Sequence, residues 1–294
     1  MQSLLARLVP IFTCAALVTT GVVLRERTPA ARPAAIQETW SRVDRPVATG
    51  QTARTWLWGP QDTSFQRTEP YAESPGGART VVYFDKSRME ISDPSADRGS
   101  GWFVANGLLV VELTSGRLQL GDDTFVQRTP AAIDVAGDPD DPSSPTYATF
   151  GMLLGAASAA DGAALVTRLA RDGTLTTDAS LATYGVTAAR RVRVAGLDHQ
   201  IASPFWDFMN SNGLVFENNH YESDSLFQNA FYATGYPISE AYWARVTVLG
   251  MPKDVLIQCF ERRCLTYTPD NPDGWKVEAG NVGQHYFAWR YGSE

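Results

Sequence analysis

"DVLIQCFERRCLTYTPDNPDGWKVEAGN", residues 254–281, has a fainter counterpart, "RTVVYFDKSRMEISDPSADRGSGWFVANG", at residues 79–107. Each runs from a β-rich segment through Phe, an acidic residue and a basic residue into a second β-rich segment. A Pro-bearing acidic loop and a Gly-Trp-x-Val return follow in both. Placing Phe84 on Phe260, 176 positions apart, sets Asp85 on Glu261, Lys86 on Arg262, Met89 on Leu265 and Ile91 on Tyr267. Trp102 meets Trp275 at a spacing of 173, Val104 meets Val277, and Asn106-Gly107 stands beside Gly280-Asn281. Upstream, Glu69 and Tyr71 fall near Glu240 and Tyr242. The pattern predicts a β-hairpin with a charged tip at Phe260 to Arg263. Period-2 alternation sends Leu256, Gln258 and Phe260 to one face. The tip charges are expected to keep the hairpin end in solvent, and Trp102 or Trp275 to return over the sheet. One hairpin is marginal in water, so each copy has to lean on neighbouring elements.

At 294 residues and 44% hydrophobic, the chain can bury a core. Its net charge of −7, with no Lys/Arg cluster, argues against a nucleic-acid backbone or an anionic membrane surface as main partner. After Arg7, the uncharged run "LVPIFTCAALVTTGVVL" spans residues 8–24 and leads into a Pro/Ala-rich spacer. Residues 1–24 read as a signal peptide or N-terminal anchor. As a helix the apolar run would be about 26 Å long, short of the roughly 30 Å hydrocarbon core. The expected location is secreted or extracytoplasmic, with membrane contact only through residues 8–24 if they are uncleaved. Without residues 1–32 the chain keeps 21 basic and 31 acidic residues, a net charge of −10.

The expected fold class is mainly β with a few short helices (α+β), built as two related β-hairpin modules around an Ala-rich middle segment. Residues 25–52 read as a linker and 53–135 as the first β-hairpin module. Residues 136–195 read as a linker and middle β segment with a hairpin at Asp172-Gly173. Residues 196–294 hold a helix and the second module. In that helix Ser203 is the expected N-cap, Pro204 the first helical residue and Gly213 the stop, with Phe205, Phe208 and Met209 on one face.

The segments "TGYPISE", "IQCFERRCLTYTP" and "GWKVEAGNVG" together resemble the LGFP-type repeat of bacterial cell-surface proteins. The resemblance is carried by Gly235, Pro237, Glu240, Gln258, Phe260, Glu261, Tyr267, Pro269 and Val277. Where that repeat has Gly after Phe-Glu, this chain has Arg262-Arg263. The C-terminal part is also similar to uncharacterised secreted bacterial proteins that end in an FERRxLTYTP…GNVGQHYYxWRY pattern. The resemblance implies a surface module, non-catalytic and associated with the cell envelope or its glycans, with no cofactor.

Cys259 and Cys264 could close a disulfide across two strands or stay as free thiols, and their spacing is not that of a redox CxxC pair. His199, His220 and His285 are too few and too scattered to predict a metal site. Asp207, Glu217, Asp224 and Glu240 fall within 34 residues and are the carboxylates a glycoside hydrolase would need. Such chemistry requires two carboxyls about 5 to 9.5 Å apart across a cleft. There is no nucleophile elbow and no Gly-rich phosphate loop. Among the tryptophans, Trp58 and Trp243, beside Tyr71 and Tyr242, are the candidate carbohydrate-stacking surface. The leading expectation is an exported, non-catalytic surface or envelope-associated binding module whose partner is a cell-wall glycan or an envelope protein. The alternative is an extracellular hydrolase acting on such a glycan.

Overall fold

Residues 32–292 are described by the computed structural model, so the expected leader at 1–24 lies outside the described residues. The expected linker at 25–52 is corrected at once: Ala34–Ala48 forms a helix, α1. Ile36, Trp40 and Val43 recur at helical spacing and are buried. Strands β1 (Phe65–Pro70), β2 (Ala78–Phe84), β3 (Ser87–Ile91) and β4 (Ala105–Asn106) form an antiparallel sheet in that order. The run 108–113, inside the expected first β-hairpin module, is instead helix α2 (Leu109–Ser115). Leu109, Val110 and Leu113 are all buried, and Gly116 at φ 72° ends the helix.

A small ribbon of β5 (Arg117–Gln119) and β6 (Phe125–Gln127) precedes α3 (Tyr147–Gly151). Strands β7 (Thr167–Leu169) and β8 (Leu175–Thr177) pair around the Asp172-Gly173 turn, where Gly173 has φ 89°. Then come the pair β9 (Ala188–Val194) and β10 (Leu197–Ala202), helix α4 (Ser203–Met209), and the hairpin β11 (Asn212–Glu217) and β12 (His220–Ser225). Helix α4 is capped at Ala202 and ends at Asn210, so Gly213 lies in β11 and is no helix stop. The chain closes with β13 (Tyr242–Val248), β14 (Met251–Cys259), β15 (Cys264–Tyr267), β16 (Val277–Ala279) and α5 (Val282–Tyr291).

The second large sheet has the order β16-β15-β14-β13-β7-β8. The middle of the chain is therefore not a separate segment, because β7 pairs in parallel with β13 through Trp243 and Arg168. Residues 136–147 act as a strap instead of a linker. Asp138 accepts from the Leu249 and Gly250 amides, and Asp141 from the Thr247 amide. Strands β1 to β4 and β13 to β16 run in the same order. In the central ladders Val82 faces Met89 and Gln258 faces Leu265, 176 positions on. The upstream alignment needs correction: Arg67 pairs with Val81 and Tyr242 with Ile257, so Tyr242 stands where Arg67 does, not where Tyr71 does.

Both sheets are buried on both faces. Val81 and Tyr83 of the first sheet, and Val255, Ile257 and Cys259 of the second, meet α2 and α5 in one core. The alternate residues Val82, Phe84 and Met89 pack with α1, while Leu256, Phe260 and Leu265 pack with α4 and β10. This explains why β14 reads as a nearly continuous apolar run. The hairpin tips are not in solvent as expected. Each is covered by the helix that follows the other meander. The Gly283 and Gln284 amides of α5 donate to the Asp85 carbonyl, and the Val110 and Val111 amides of α2 donate to the Glu261 carbonyl. Arg263 is only 1% exposed. It donates to the Leu57 carbonyl at 2.7 Å and the Ala233 carbonyl at 2.8 Å, and burial pushes its guanidinium down to about 9. Cys259 and Cys264 are joined by a disulfide across β14 and β15.

The seam between the first sheet and α5 is polar and buried. Arg88, fully buried, pairs with Glu69 at 3.1 Å and Glu90 at 2.7 Å. Arg79 also pairs with Glu90, and Arg290 of α5 lies 3.5 Å from Glu69. Tyr83 and Tyr291 donate to Glu69, and Tyr286 donates to Glu112. Burial pulls the Glu69 carboxyl up, but Arg88, Arg290 and the two phenols outweigh it and hold it below its usual value.

Candidate functional site

Helix α1 has two working faces. Ile36, Trp40 and Val43 point to the core, while Ala35, Glu38, Arg42 and Arg45 line a cleft of about 860 Å³. That volume is in the range of small-ligand sites. The opposite wall is the end of the β11–β12 hairpin, whose two-residue turn places Asn218 at φ 47° and Asn219 at φ 64°, the left-handed geometry such turns require. Arg42 fixes this wall to the helix. It donates to Glu217 at 2.6 Å, Asp224 at 2.9 Å and the Leu226 carbonyl at 3.1 Å.

The floor is Leu57 and Trp58. The buried carboxylate of Asp44 accepts from the amides of Leu57, Trp58 and Gly59 and so fixes the turn that carries them. Burial raises the Asp44 pKa to about 6 even though those amides and Arg54 pull it down. The third side is the loop 98–104. Here Trp102 is 51% exposed and packs on Tyr232, which lines the cleft, with ring centroids 5.6 Å apart. Arg262, from the second hairpin tip, lies 5.4 Å from the Trp102 ring and donates to the Tyr232 carbonyl. Tyr232 in turn donates to the Val104 carbonyl at 2.6 Å. The Trp102–Tyr232 pair is thus held from behind.

The expected aromatic surface is corrected on all four residues. Trp243 is fully buried, donates to the Leu165 carbonyl and stacks on Tyr184. Tyr242 packs near Phe150 in the central core. Tyr71 lies under the Arg79 guanidinium and donates to Asp122. Trp58, 1% exposed, contributes only to the cleft floor. Tyr242 and Trp243 sit on β13, Trp58 lies beneath α1 and Tyr71 lies just past β1 under Arg79, so each ring is consumed by packing.

Three of the four candidate carboxylates are also spoken for. Glu217 and Asp224 share Arg42. Buried Glu240 accepts from His199 and from the Gln200 and Ala159 amides. Asp207 is exposed on α4. Among the described residues no cluster of three His, Cys, Asp or Glu could hold a metal ion. Residues carrying the LGFP resemblance are structural here. Gly235, at φ 71°, lies against Glu261, while Gln258 is buried and bonds Ala202, Gln200 and Ser239.

A second cavity, of about 630 Å³, lies beside Lys86, Glu278 and His285. His285 meets the Tyr147 hydroxyl at 3.0 Å, and burial, aided by the Lys86 charge, lowers its pKa to about 4. Between pH 6.5 and 4 the unfolded chain takes up the proton that folded His285 refuses, so its contribution is present above pH 6.5 and lost toward pH 4. Asp44 has the opposite sign. Its folded pKa is the higher one, so stability rises as pH falls from about 6 toward 3.8. The two offset each other in the wild-type chain. His285→Gln should therefore gain about 2 kcal/mol relative to wild type between pH 7 and pH 4.5, read from urea midpoints at both pH values. A pH-independent difference would show that His285 is not held neutral.

Comparison with protein-family models, curated proteins and solved structures found no match to this chain. Sequence reasoning missed Arg42, Arg45, Arg98 and Tyr232 as site residues and assigned Trp102 to core covering. The spacing of Ile36, Trp40 and Val43 was the available signal for α1, and with it for the wall of the cleft.

Proposed function

We propose that the chain is an exported, non-catalytic binding module of the cell envelope, made of two related β-meander modules, and that the cleft beside α1 takes a glycan. The observation that carries this reading is Trp102. It is a half-exposed indole held on Tyr232 and Arg262, in the loop 98–104 that forms one side of a cleft lined by both polar and apolar side chains. A flat apolar face beside hydrogen-bonding groups suits a sugar ring. The LGFP resemblance and the matching strand order of the two meanders support a modular surface protein. The hydrolase reading has less support. Of the two carboxylates that line the cleft, Glu217 is bound by Arg42 and Glu38 stands without an ion-pair partner among the described residues. Two free carboxyls are needed.

Retention of the purified chain on insoluble peptidoglycan and a panel of polysaccharides tests the proposal. Trp102→Ala should bind roughly tenfold more weakly, a loss of ~1.4 kcal/mol. Its melting temperature should stay near that of the wild type, because the ring is half in water. Retention unchanged by the substitution, or no retention on any polymer, would discard the glycan assignment.

A further inference from the structure

We infer that the ligand of this cleft is an acidic sugar, its carboxylate read chiefly by Arg45 with Arg98 as a second cation; the inference rests on the glycan reading above. The charged side chains lining the cleft are Glu38, Arg42, Arg45, Arg98 and Glu217. Arg42 and Glu217 satisfy each other. Arg45 and Arg98 differ from them. Among the described residues neither has a carboxylate within ion-pair distance. Each is laid on an aromatic ring: Arg45 is 3.8 Å from the Phe216 centroid and Arg98 is 5.8 Å from that of Phe103. A guanidinium stacked this way is pre-oriented, with its N–H fork free for a planar carboxylate.

Placement along α1 sets the polarity of the site. Glu38 and Arg45 are seven residues apart, about 10 Å along the axis. An acid group beside Arg45 therefore escapes Glu38, and the Glu38 end is left to accept sugar hydroxyls. The chain as a whole carries −7, which opposes the accumulation of a dense polyanion. The matching ligand carries its charge sparsely, as a saccharide with single carboxylates. Arg45 also stands in the last turn of α1, where a cation steadies the helix C-terminus. That role would affect folding, not the choice between an acid and its ester.

The test measures binding of the full chain to a trisaccharide that carries a single glucuronate residue and to its methyl ester, which share rings and differ in charge. The wild type should prefer the acid by about tenfold, and the preference should shrink with added salt. Arg45→Gln, and more fully Arg45→Gln/Arg98→Gln, should abolish the preference for the acid over the ester. Trp102→Ala should weaken both. Equal binding of acid and ester by the wild type, with both weakened by Trp102→Ala, would overturn the inference and leave the glycan reading standing. Binding of neither oligosaccharide, with no polymer of the panel retained, would remove both.

Discussion

Arg88→Met is expected to destabilise the chain by about 3–5 kcal/mol, the usual cost of removing one partner from a buried ionic cluster. Arg88 has no exposed side-chain surface, and neither has Glu69 beside it. Methionine fills most of the volume but supplies no N–H. Glu90 would keep Arg79, and Glu69 would keep the more distant Arg290 at 3.5 Å with the two tyrosine hydroxyls. That compensation is partial, so a carboxylate would be left short of positive charge in a buried seam. Because the seam joins the first sheet to α5, its loss should also loosen the helix. A urea midpoint by far-UV circular dichroism gives the free energy, and near-UV dichroism reports the packing of Tyr83 and Tyr286. A loss below about 1 kcal/mol would show that the cluster is hydrated or protonated in solution.

Gly283→Ala is the second large effect. A Cβ at this position would fall 2.0 Å from the Phe84 carbonyl oxygen, 2.5 Å from the Ser87 carbonyl oxygen and 2.9 Å from the Ser87 amide nitrogen. All three atoms are backbone, and Phe84 and Ser87 are paired across the first hairpin, so no side chain can swing aside. Helix α5 would have to withdraw, breaking the bonds from the Gly283 and Gln284 amides to Asp85. Overpacking of a fixed contact typically costs about 1–3 kcal/mol, and the lost hydrogen bonds add about 1 kcal/mol each. The expected total is therefore roughly 3 kcal/mol or more, despite the better helix propensity of alanine. Gly155→Ala is the matched control, since nothing lies within 4 Å of the Cβ it would add. Equal midpoints for the two variants would refute the close docking of α5.

Strand content was legible because β2–β3 and β14–β15 carry dense β-branched and aromatic residues around short charged tips. Helix α2 was not, since "LLVVEL" lies inside the core and shows no polar face to set its period. Helix α1 carried a readable stripe, but the Pro/Ala-rich residues before it suggested a linker. The site was less legible still. An aromatic-rich sequence does not mark which ring is spent on packing, and Trp58 and Trp243 are spent while Trp102 is not.

The sequence by itself determined the local alternation of the hairpins, the turn at Asp172-Gly173 and the mostly β character, because these follow from backbone preferences over a few residues. Tertiary structure alone decided that α5 covers the tip at Asp85 and α2 the tip at Glu261, that Arg263 ties Leu57 to Ala233, and that α1, the loop 98–104 and β11–β12 enclose one cleft. Most of those contacts join residues more than a hundred positions apart. Their partners are chosen by shape, burial and the pairing of buried polar groups, none of which a linear spacing encodes.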